Sequence, residues 1–197
     1  TFRRLPPDKK ERIYRATIEL FGNYGYDGVA VDQLCRECGI SKGSFFQYFA
    51  SKSHLLEFDI LVLDDFLGKW IDEVRRTETA VLARDRIQYL YRSVVINTRL
   101  FRAEQTFYLF VTNALQHAGV TLEGIDLERH FFGYVTDIVR RGVQTGEVRG
   151  DFEVELTSHL VSLIVGALVS RQYSPSRSSH RETEDYLISF LFDGIKA

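Results

Sequence analysis

The segment from Val31 to Lys52 constrains the fold of this chain more than any other, because it predicts two short helices joined by a tight turn. Its apolar residues first recur at the spacing that places them on one face of a helix. Gly39 then suits the left-handed conformation that ends many helices, and Ser41 can cap the next helix through its side-chain oxygen. This arrangement is typical of a helix-turn-helix. The apolar residues are Val31, Leu34, Cys35 and Cys38.

The second helix of the segment, Lys42–Phe49, is rich in aromatic residues at positions 45, 46, 48 and 49. Successive helical positions lie about 100° apart, so these rings cannot all face one core. We therefore expect aromatic surface to point outward, beside polar groups that could contact base edges and phosphates. A helix buried on two sides is the alternative interpretation.

A preceding helix is predicted from Asp8 to Tyr24, followed by Gly25. Asp8 and Glu11 have the spacing of a capping box at its start. Its apolar stripe consists of Ile13, Ala16, Thr17, Leu20, Phe21 and Tyr24. Three such helices can pack around one small core, which predicts an N-terminal domain over residues 1–50.

The region from Ile13 to Leu56 resembles the N-terminal domain of the TetR (tetracycline-repressor-like) family of transcriptional regulators. The resemblance rests on the motif L-F-x-x-x-G-Y and on the run G-I-S-K-G-S-F-F-Q-Y-F-x-S-K, and it covers about a quarter of the chain. It implies an all-α fold with an N-terminal three-helix domain that contains the helix-turn-helix. A larger helical domain for ligand binding and dimerisation would follow over residues 51–197.

The resemblance also implies a set of DNA contacts. Major-groove readout would come from Lys42, Ser44, Phe46 and Gln47. Tyr48 and Lys52 would hold phosphates, and Gln33 completes the set.

Phe46 and the pair Val29–Ala30 depart from the family pattern. Phe46 stands where the family usually has Tyr, so its ring lacks a hydroxyl for the DNA backbone but can still touch a sugar or a thymine methyl group. Val29 and Ala30 replace a pair that usually includes Thr, so the helix that follows lacks a side-chain N-cap, which costs about 1 kcal/mol.

Charge is distributed unevenly along the chain. The net charge is −2, whereas residues 1–54 hold nine Lys and Arg against six Asp and Glu. A modestly positive N-terminal region favours phosphates, and the near-neutral total argues against a nonspecific nucleic-acid coat protein. Cys35 and Cys38 form a C-x-x-C, but the histidines lack the paired spacing of zinc ligands. Two buried, reduced thiols are therefore expected, with neither a metal nor a cofactor.

The rest of the chain keeps a helical pattern, with helices predicted at about 51–76, 80–100, 103–117, 122–145, 153–173 and 182–195. The last two are strongly apolar, and the resemblance implies that they bind a second subunit. A homodimer also suits the mechanism, because one recognition helix contacts few bases whereas two related by a two-fold axis read a palindrome.

The resemblance further implies a ligand cavity, and an aromatic wall suits a small hydrophobic or aromatic effector. Ordinary core packing is the alternative interpretation for each of these side chains. The candidate contacts are Trp70, Phe107, Phe110, His117, Phe131 and Tyr134.

We therefore expect a dimeric, ligand-responsive transcriptional regulator, a repressor that binds a palindromic operator through Lys42–Phe49 and is released by the effector. The alternatives are a helical enzyme or a protein-binding adaptor without DNA binding. The chain lacks the metalloprotease, phosphate-loop and nucleophile-elbow motifs of several enzyme classes. Its longest apolar run, Leu160–Val169, is shorter than the roughly 20 residues of a membrane span, so we expect a cytoplasmic protein.

Overall fold

In the computed structural model, which describes residues 2, 5–114, 126–172 and 180–195, the chain folds into α-helices joined by turns. The all-α fold predicted from the sequence is confirmed. None of the described helices has the length and apolar composition that a membrane span requires. The described helices are α1 (Pro7–Tyr24), α2 (Val31–Cys38), α3 (Lys42–Tyr48), α4 (Lys52–Thr77), α5 (Ala83–Leu100), α6 (Arg102–Ala114), α7 (Arg129–Thr145), α8 (Val154–Gln172) and α9 (His180–Ile195).

The helices form two compact units, which we call the head and the body. The head comprises Thr1–Phe66 and Leu100–Ile125, and the body comprises Leu67–Arg99 and Asp126–Ala197. The boundary between them therefore falls within α4, and α6 belongs to the head. The predicted division at residue 50 concerns function and stays a prediction.

The core of the head forms where α1 packs against α2 and α6, and where α2 packs against α3. Gly22 on α1 permits a close approach to α6, because a β-carbon there would lie 3.1 Å from the backbone nitrogen of Phe107. The almost fully buried side chains of the head include Ile13, Ile18, Phe21, Leu34, Phe45, Leu56 and Phe107.

Local signals set the ends of α2 and α3. Gly39 adopts the left-handed conformation (φ 63°, ψ 40°) directly after α2, and Ser41 caps α3. Both features are as predicted. No side chain within the described residues caps α2 at Ala30, which also agrees with the sequence.

The predicted capping box of the first helix is wrong. The helix begins at Pro7, and Glu11 pairs with Arg15 one turn later, at 3.0 Å. Proline suits the first helical position because its missing N–H would be unpaired there in any case.

In the body, α8 packs against both α7 and α9. The carboxylate of Glu147, in the turn after α7, accepts a hydrogen bond from the backbone N–H of Ala83 at the start of α5 (2.7 Å). This side chain thus caps a helix that is distant in sequence. Core residues of the body include Leu90, Tyr91, Tyr134, Ile138, Val161, Val165 and Leu187.

One predicted helix start in the body is wrong. The helix expected over 122–145 begins at Arg129 within the described residues, while 122–125 lie outside them. The next helix begins at Val154, within one residue of the predicted start, and Asp151 ahead of it pairs with Arg149 at 2.5 Å.

Candidate nucleic-acid interface

Two serines fix the turn between α2 and α3. The Oγ of Ser41 accepts a hydrogen bond from the backbone N–H of Ser44 (3.1 Å) and donates one to the Ser44 Oγ (3.0 Å). The cap satisfies an N–H that the start of a helix otherwise leaves unpaired, and such caps stabilise by about 1 kcal/mol. Ser44, a candidate base contact, is therefore also part of the cap.

Helix α3 buries one aromatic face and exposes another. Phe45 is only 1% exposed, and the ring of Phe46 meets it edge to face at 5.2 Å while remaining 52% exposed. Gln47 and Lys42 are exposed as well. The prediction that aromatic surface points outward is confirmed for Phe46, and the alternative of a helix buried on two sides is wrong.

Tyr48 is half-buried, because its ring lies against two other aromatic rings. The centroids are 6.4 Å from Phe49 and 6.2 Å from Phe2. Phe2 is itself buried and packs on Phe58 at 4.6 Å. Sequence reasoning missed Phe2, since a single ring ahead of the first helix carries no periodic signal.

The ammonium of Lys42 forms a 2.8 Å ion pair with Asp32 of α2, and both side chains are exposed. The hydrogen bond that the ammonium donates to the Asp32 carboxylate raises the pKa of Lys42. Exposed ion pairs contribute little to stability, so breaking this pair costs the protein little. Gln33, next to Asp32 in sequence, is half-buried.

The ammonium of Lys52, at the start of α4, has partners within the head. It donates hydrogen bonds to the backbone carbonyls of Tyr26 (2.7 Å) and Val29 (2.9 Å), and it lies 4.1 Å from the centroid of the Tyr26 ring. The phosphate contact expected of Lys52 stays a prediction. No short-range pattern in the sequence indicates these internal partners.

The interior of the head holds several groups that ionise. Cys35 and Cys38 are buried and free, which confirms the prediction of two buried thiols. Burial raises the pKa of Cys38 to about 12, which leaves it a protonated, unreactive thiol. Asp59 on α4 is fully buried, and neither carboxylate oxygen has a hydrogen-bond partner among the described residues. Burial raises the pKa of Asp59 well above its ordinary value.

The candidate effector contacts divide between the two units. Phe107 and Phe110 lie on α6 in the head, where Phe110 stacks on Phe21 at 6.4 Å. Trp70 and Phe131 are half-buried and pack against the core of the body. His117 lies outside the described residues. A role in ligand binding stays a prediction for the whole set.

Tyr134, the remaining candidate, is fully buried in the body. The guanidinium groups of Arg75 and Arg86 lie 4.8 Å and 5.8 Å from the centroid of its ring. Arg86 forms a buried ion pair with Glu78 at 2.6 Å, and the Tyr134 hydroxyl points to the same carboxylate oxygen at 3.4 Å. The ring and the hydroxyl of Tyr134 are thus already engaged within the body.

Helices α8 and α9 expose apolar side chains in addition to their buried faces. Phe190 is 58% exposed, and its ring stacks on that of Tyr186 at 6.2 Å. On α8 the exposed leucines recur at i, i+4 and i+7, and the exposed Gly166 and Ala167 follow. Exposed apolar side chains that are grouped on packed helices are typical of surfaces that other molecules cover. We call the set the α8–α9 stripe: Leu156, Leu160, Leu163, Tyr186 and Phe190.

Residues 13–57 match the family described as bacterial regulatory proteins, tetR family. The uncharacterized HTH-type transcriptional regulator YerO of Bacillus subtilis (strain 168) is 24% identical over 125 residues, which cover 64% of this chain and 41% of YerO. The biofilm operon icaADBC HTH-type negative transcriptional regulator IcaR of Staphylococcus aureus (strain Newman) is 32% identical over 62 residues, or 32% of this chain and 33% of IcaR. The matched region thus spans less than half of either relative.

Solved structures share the fold. A putative transcriptional regulator from Pseudomonas aeruginosa PAO1 superposes with a TM-score of 0.76 at 18% identity, covering 98% of this chain and 93% of the other. The transcriptional regulator FadR from Bacillus subtilis, solved in complex with stearoyl-CoA, gives a TM-score of 0.68 at 17% identity, with coverage of 94% and 98%. At these identities the likeness shows the fold alone.

Proposed function

Because the chain belongs to the TetR family of transcriptional regulators, we propose that it is a homodimeric repressor that binds a palindromic operator and is released by a mainly apolar small molecule. The family consists of regulators and not of enzymes, which removes the helical enzyme as an alternative. A protein-binding adaptor remains the competing function.

The observation that carries the proposal is the division of α3 into a buried and an exposed face. Phe45 anchors the helix in the core, while Lys42, Phe46 and Gln47 are exposed on it. A glutamine amide can form two hydrogen bonds with adenine in the major groove, and a lysine can bind guanine or a phosphate. An adaptor would have no evident use for this combination.

The α8–α9 stripe supports the homodimer. In an interface with two-fold symmetry the same surface of both copies comes together, so one self-complementary apolar stripe is sufficient. Two heads held in this way would read two half-sites on one side of the duplex, about 34–36 Å apart or a multiple of that distance.

Two relatives support the remaining parts of the proposal. IcaR is described as a negative regulator, which favours repression. FadR was solved with stearoyl-CoA, a ligand with a long apolar chain. Release would follow from linkage, because an effector that prefers the state unable to bind DNA lowers DNA affinity, and DNA lowers the affinity for the effector by the same factor.

Selection from a pool of random duplexes tests the DNA-binding part. We expect the purified protein to enrich an inverted repeat. A pool without any consensus after repeated rounds, at low salt as well as at physiological salt, would leave the adaptor as the better function.

The effector part is tested by reciprocity. Acyl-CoA esters of different chain length and simple aromatic acids are screened by the melting temperature of the protein and by the fluorescence of Trp70, its single tryptophan. We expect a compound that binds to weaken operator binding, and operator DNA to weaken that compound equally. Compounds that bind without any effect on operator affinity would contradict the switch.

A further inference from the structure

Lys52 joins two parts of the head that are far apart in sequence. Its ammonium donates to the carbonyls of Tyr26 and Val29 at 2.7 Å and 2.9 Å. An ammonium has three N–H donors, so two of the three are used within the protein. The ammonium also lies 4.1 Å from the centroid of the Tyr26 ring, which makes a cation–π contact with it.

The turn that Lys52 closes leads directly into α2. Gly25 begins it with φ 71°, and Gly28 is required because a β-carbon there would lie 2.2 Å from the carbonyl oxygen of Tyr24. The turn ends at the buried Val29, one residue before Ala30, where no described side chain caps α2. The start of α2 therefore lacks the local stabilisation that a side-chain cap gives.

The Tyr26 ring also packs against aromatic side chains of the head. It stacks on Phe21 of α1 at 6.2 Å, and Phe21 stacks on Phe110 of α6 at 6.4 Å. Lys52 thus bonds to a turn that is already packed against α1 and, through it, against α6. A contact with such a well-packed turn can fix the position of the first turn of α4.

We propose that Lys52 is a positioning residue of the head, which ties the first turn of α4 to the α1–α2 turn and so aligns α2 and α3 for the DNA. The proposal rests on the DNA-binding function proposed above. It differs from the role that the resemblance implies, in which the same ammonium holds a phosphate.

The two roles predict different changes in Lys52→Ala. A lost phosphate contact lowers the slope of log affinity against log salt by about one unit and leaves the free protein unchanged. A lost positioning contact lowers operator affinity about tenfold or more, leaves the salt slope as it was, and loosens the turn in the free protein. Lys42→Ala serves as the matched contrast. Lys42 is exposed, so we expect its replacement to lower the slope of log affinity against log salt.

The free protein is tested by hydrogen exchange of the amides of Val29, Gln33 and Leu34, which bond to Tyr26 and Ala30. We expect faster exchange at these amides in Lys52→Ala, unchanged exchange in α8, and near-normal exchange in Lys52→Arg, which can still donate to both carbonyls. Operator affinity is measured at a temperature at which the wild type and every variant are folded. We expect Lys52→Arg to keep most of the wild-type affinity. Should Lys52→Ala fail to fold, Lys52→Gln replaces it.

Unchanged exchange together with a lower salt slope would overturn the proposal in favour of the phosphate contact. Faster exchange with full operator affinity would also overturn it, since Lys52 would then stabilise the head without aligning it. If the wild-type protein selects no duplex, the proposed function fails, whereas the exchange data still decide whether Lys52 holds the turn.

Discussion

The outward face of α3 and the α8–α9 stripe are both exposed, but they expose different chemistry. The α3 face presents Lys42, Gln47 and the ring of Phe46, and its first turn is held by Ser41. The stripe presents leucines and two rings on two much longer helices, with no charged side chain among its members. Both surfaces belong to the same chain, so composition alone does not explain the contrast.

The contrast indicates two kinds of partner. Exposure of a polar face to water costs little free energy, and its groups can form hydrogen bonds with base edges and phosphates that offer matching donors and acceptors. An apolar stripe gains from being covered, by about 25 cal/mol for each Å² of apolar surface removed from water. This difference supports the two partners proposed above, DNA for the first surface and a second copy of the chain for the second.

The largest effect should come from a charge in the stripe. Phe190→Glu would bury an unpaired carboxylate in the proposed dimer interface, which costs about 3–5 kcal/mol. Ile96→Glu on α5 is the matched control, because Ile96 is 57% exposed and lies outside the stripe. We expect light scattering to give a monomer for Phe190→Glu and a dimer for Ile96→Glu, with unchanged helix content. A dimer from both would exclude the stripe as the interface.

The second effect concerns the polar face. Gln47→Ala should cost about 1–3 kcal/mol of operator affinity and relax the base preference at one position of each half-site, because the amide no longer pairs with a base. The control is Gln144→Ala, an exposed glutamine on α7. The affinity lost on each single-base change of the operator is measured for the wild type and for Gln47→Ala. If these losses are the same in both proteins, Gln47 reads no base.

A third experiment compares how the two units bury a carboxylate. Glu78 of the body is paired with Arg86, whereas Asp59 of the head has no hydrogen-bond partner among the described residues. Burial raises the pKa of Asp59 in the folded state; the hydroxyl of Thr17 opposes the shift, but it is engaged with the carbonyls of Ile13 and Tyr14.

A raised folded-state pKa means that stability falls as pH rises from the unfolded pKa through the folded one. One pKa unit corresponds to about 1.4 kcal/mol. We therefore expect the free energy of unfolding of Asp59→Asn, measured with urea, to rise relative to that of the wild type by more than about 1.4 kcal/mol between pH 4 and pH 8. Asp72→Asn, an exposed site on the same helix, should show no such gain. If the free energies of unfolding of the wild type and Asp59→Asn changed in parallel with pH, the buried carboxylate would carry no such cost.

The smallest effect should come from Phe46, the one apolar group on the polar face. The thymine methyl is the apolar group that base edges offer in the major groove. Replacing thymine by uracil at the contacted position should cost the wild type about 0.8 kcal/mol, the value of one buried methyl-sized group. The replacement should cost Phe46→Ala nothing. An equal cost for both proteins would place the ring against a sugar or leave it without contact.

The sequence predicted best those parts of the head that depend on neighbouring residues. Helix α2 extends over the apolar stripe that predicted it, from Val31 to Cys38, because Gly39 ends it and Ser41 caps the next helix through local geometry. The exposed ring of Phe46 followed from the angle between successive helical positions. Asp59 was missed although its position falls between Leu56 and Ile60 on the apolar stripe of α4.

The parts that were not predicted depend on residues distant in sequence. The carbonyls that Lys52 contacts lie 26 and 23 positions away, and Glu147 caps a helix 64 positions away. No periodicity or short motif carries such information. The start of α1 at Pro7 was missed for a different reason, since Asp8 and Glu11 fit a capping box that the helix does not use.

The central claim is that two copies of α3 act together, because the stripe holds two chains as one dimer. The most direct test compares duplexes of equal length that carry either the whole selected repeat or one half-site with the other scrambled. The account predicts that the whole repeat binds at least about a hundredfold tighter, as expected when the second contact becomes intramolecular, and that Phe190→Glu abolishes the difference. Equal affinity of the wild-type protein for both duplexes would contradict it.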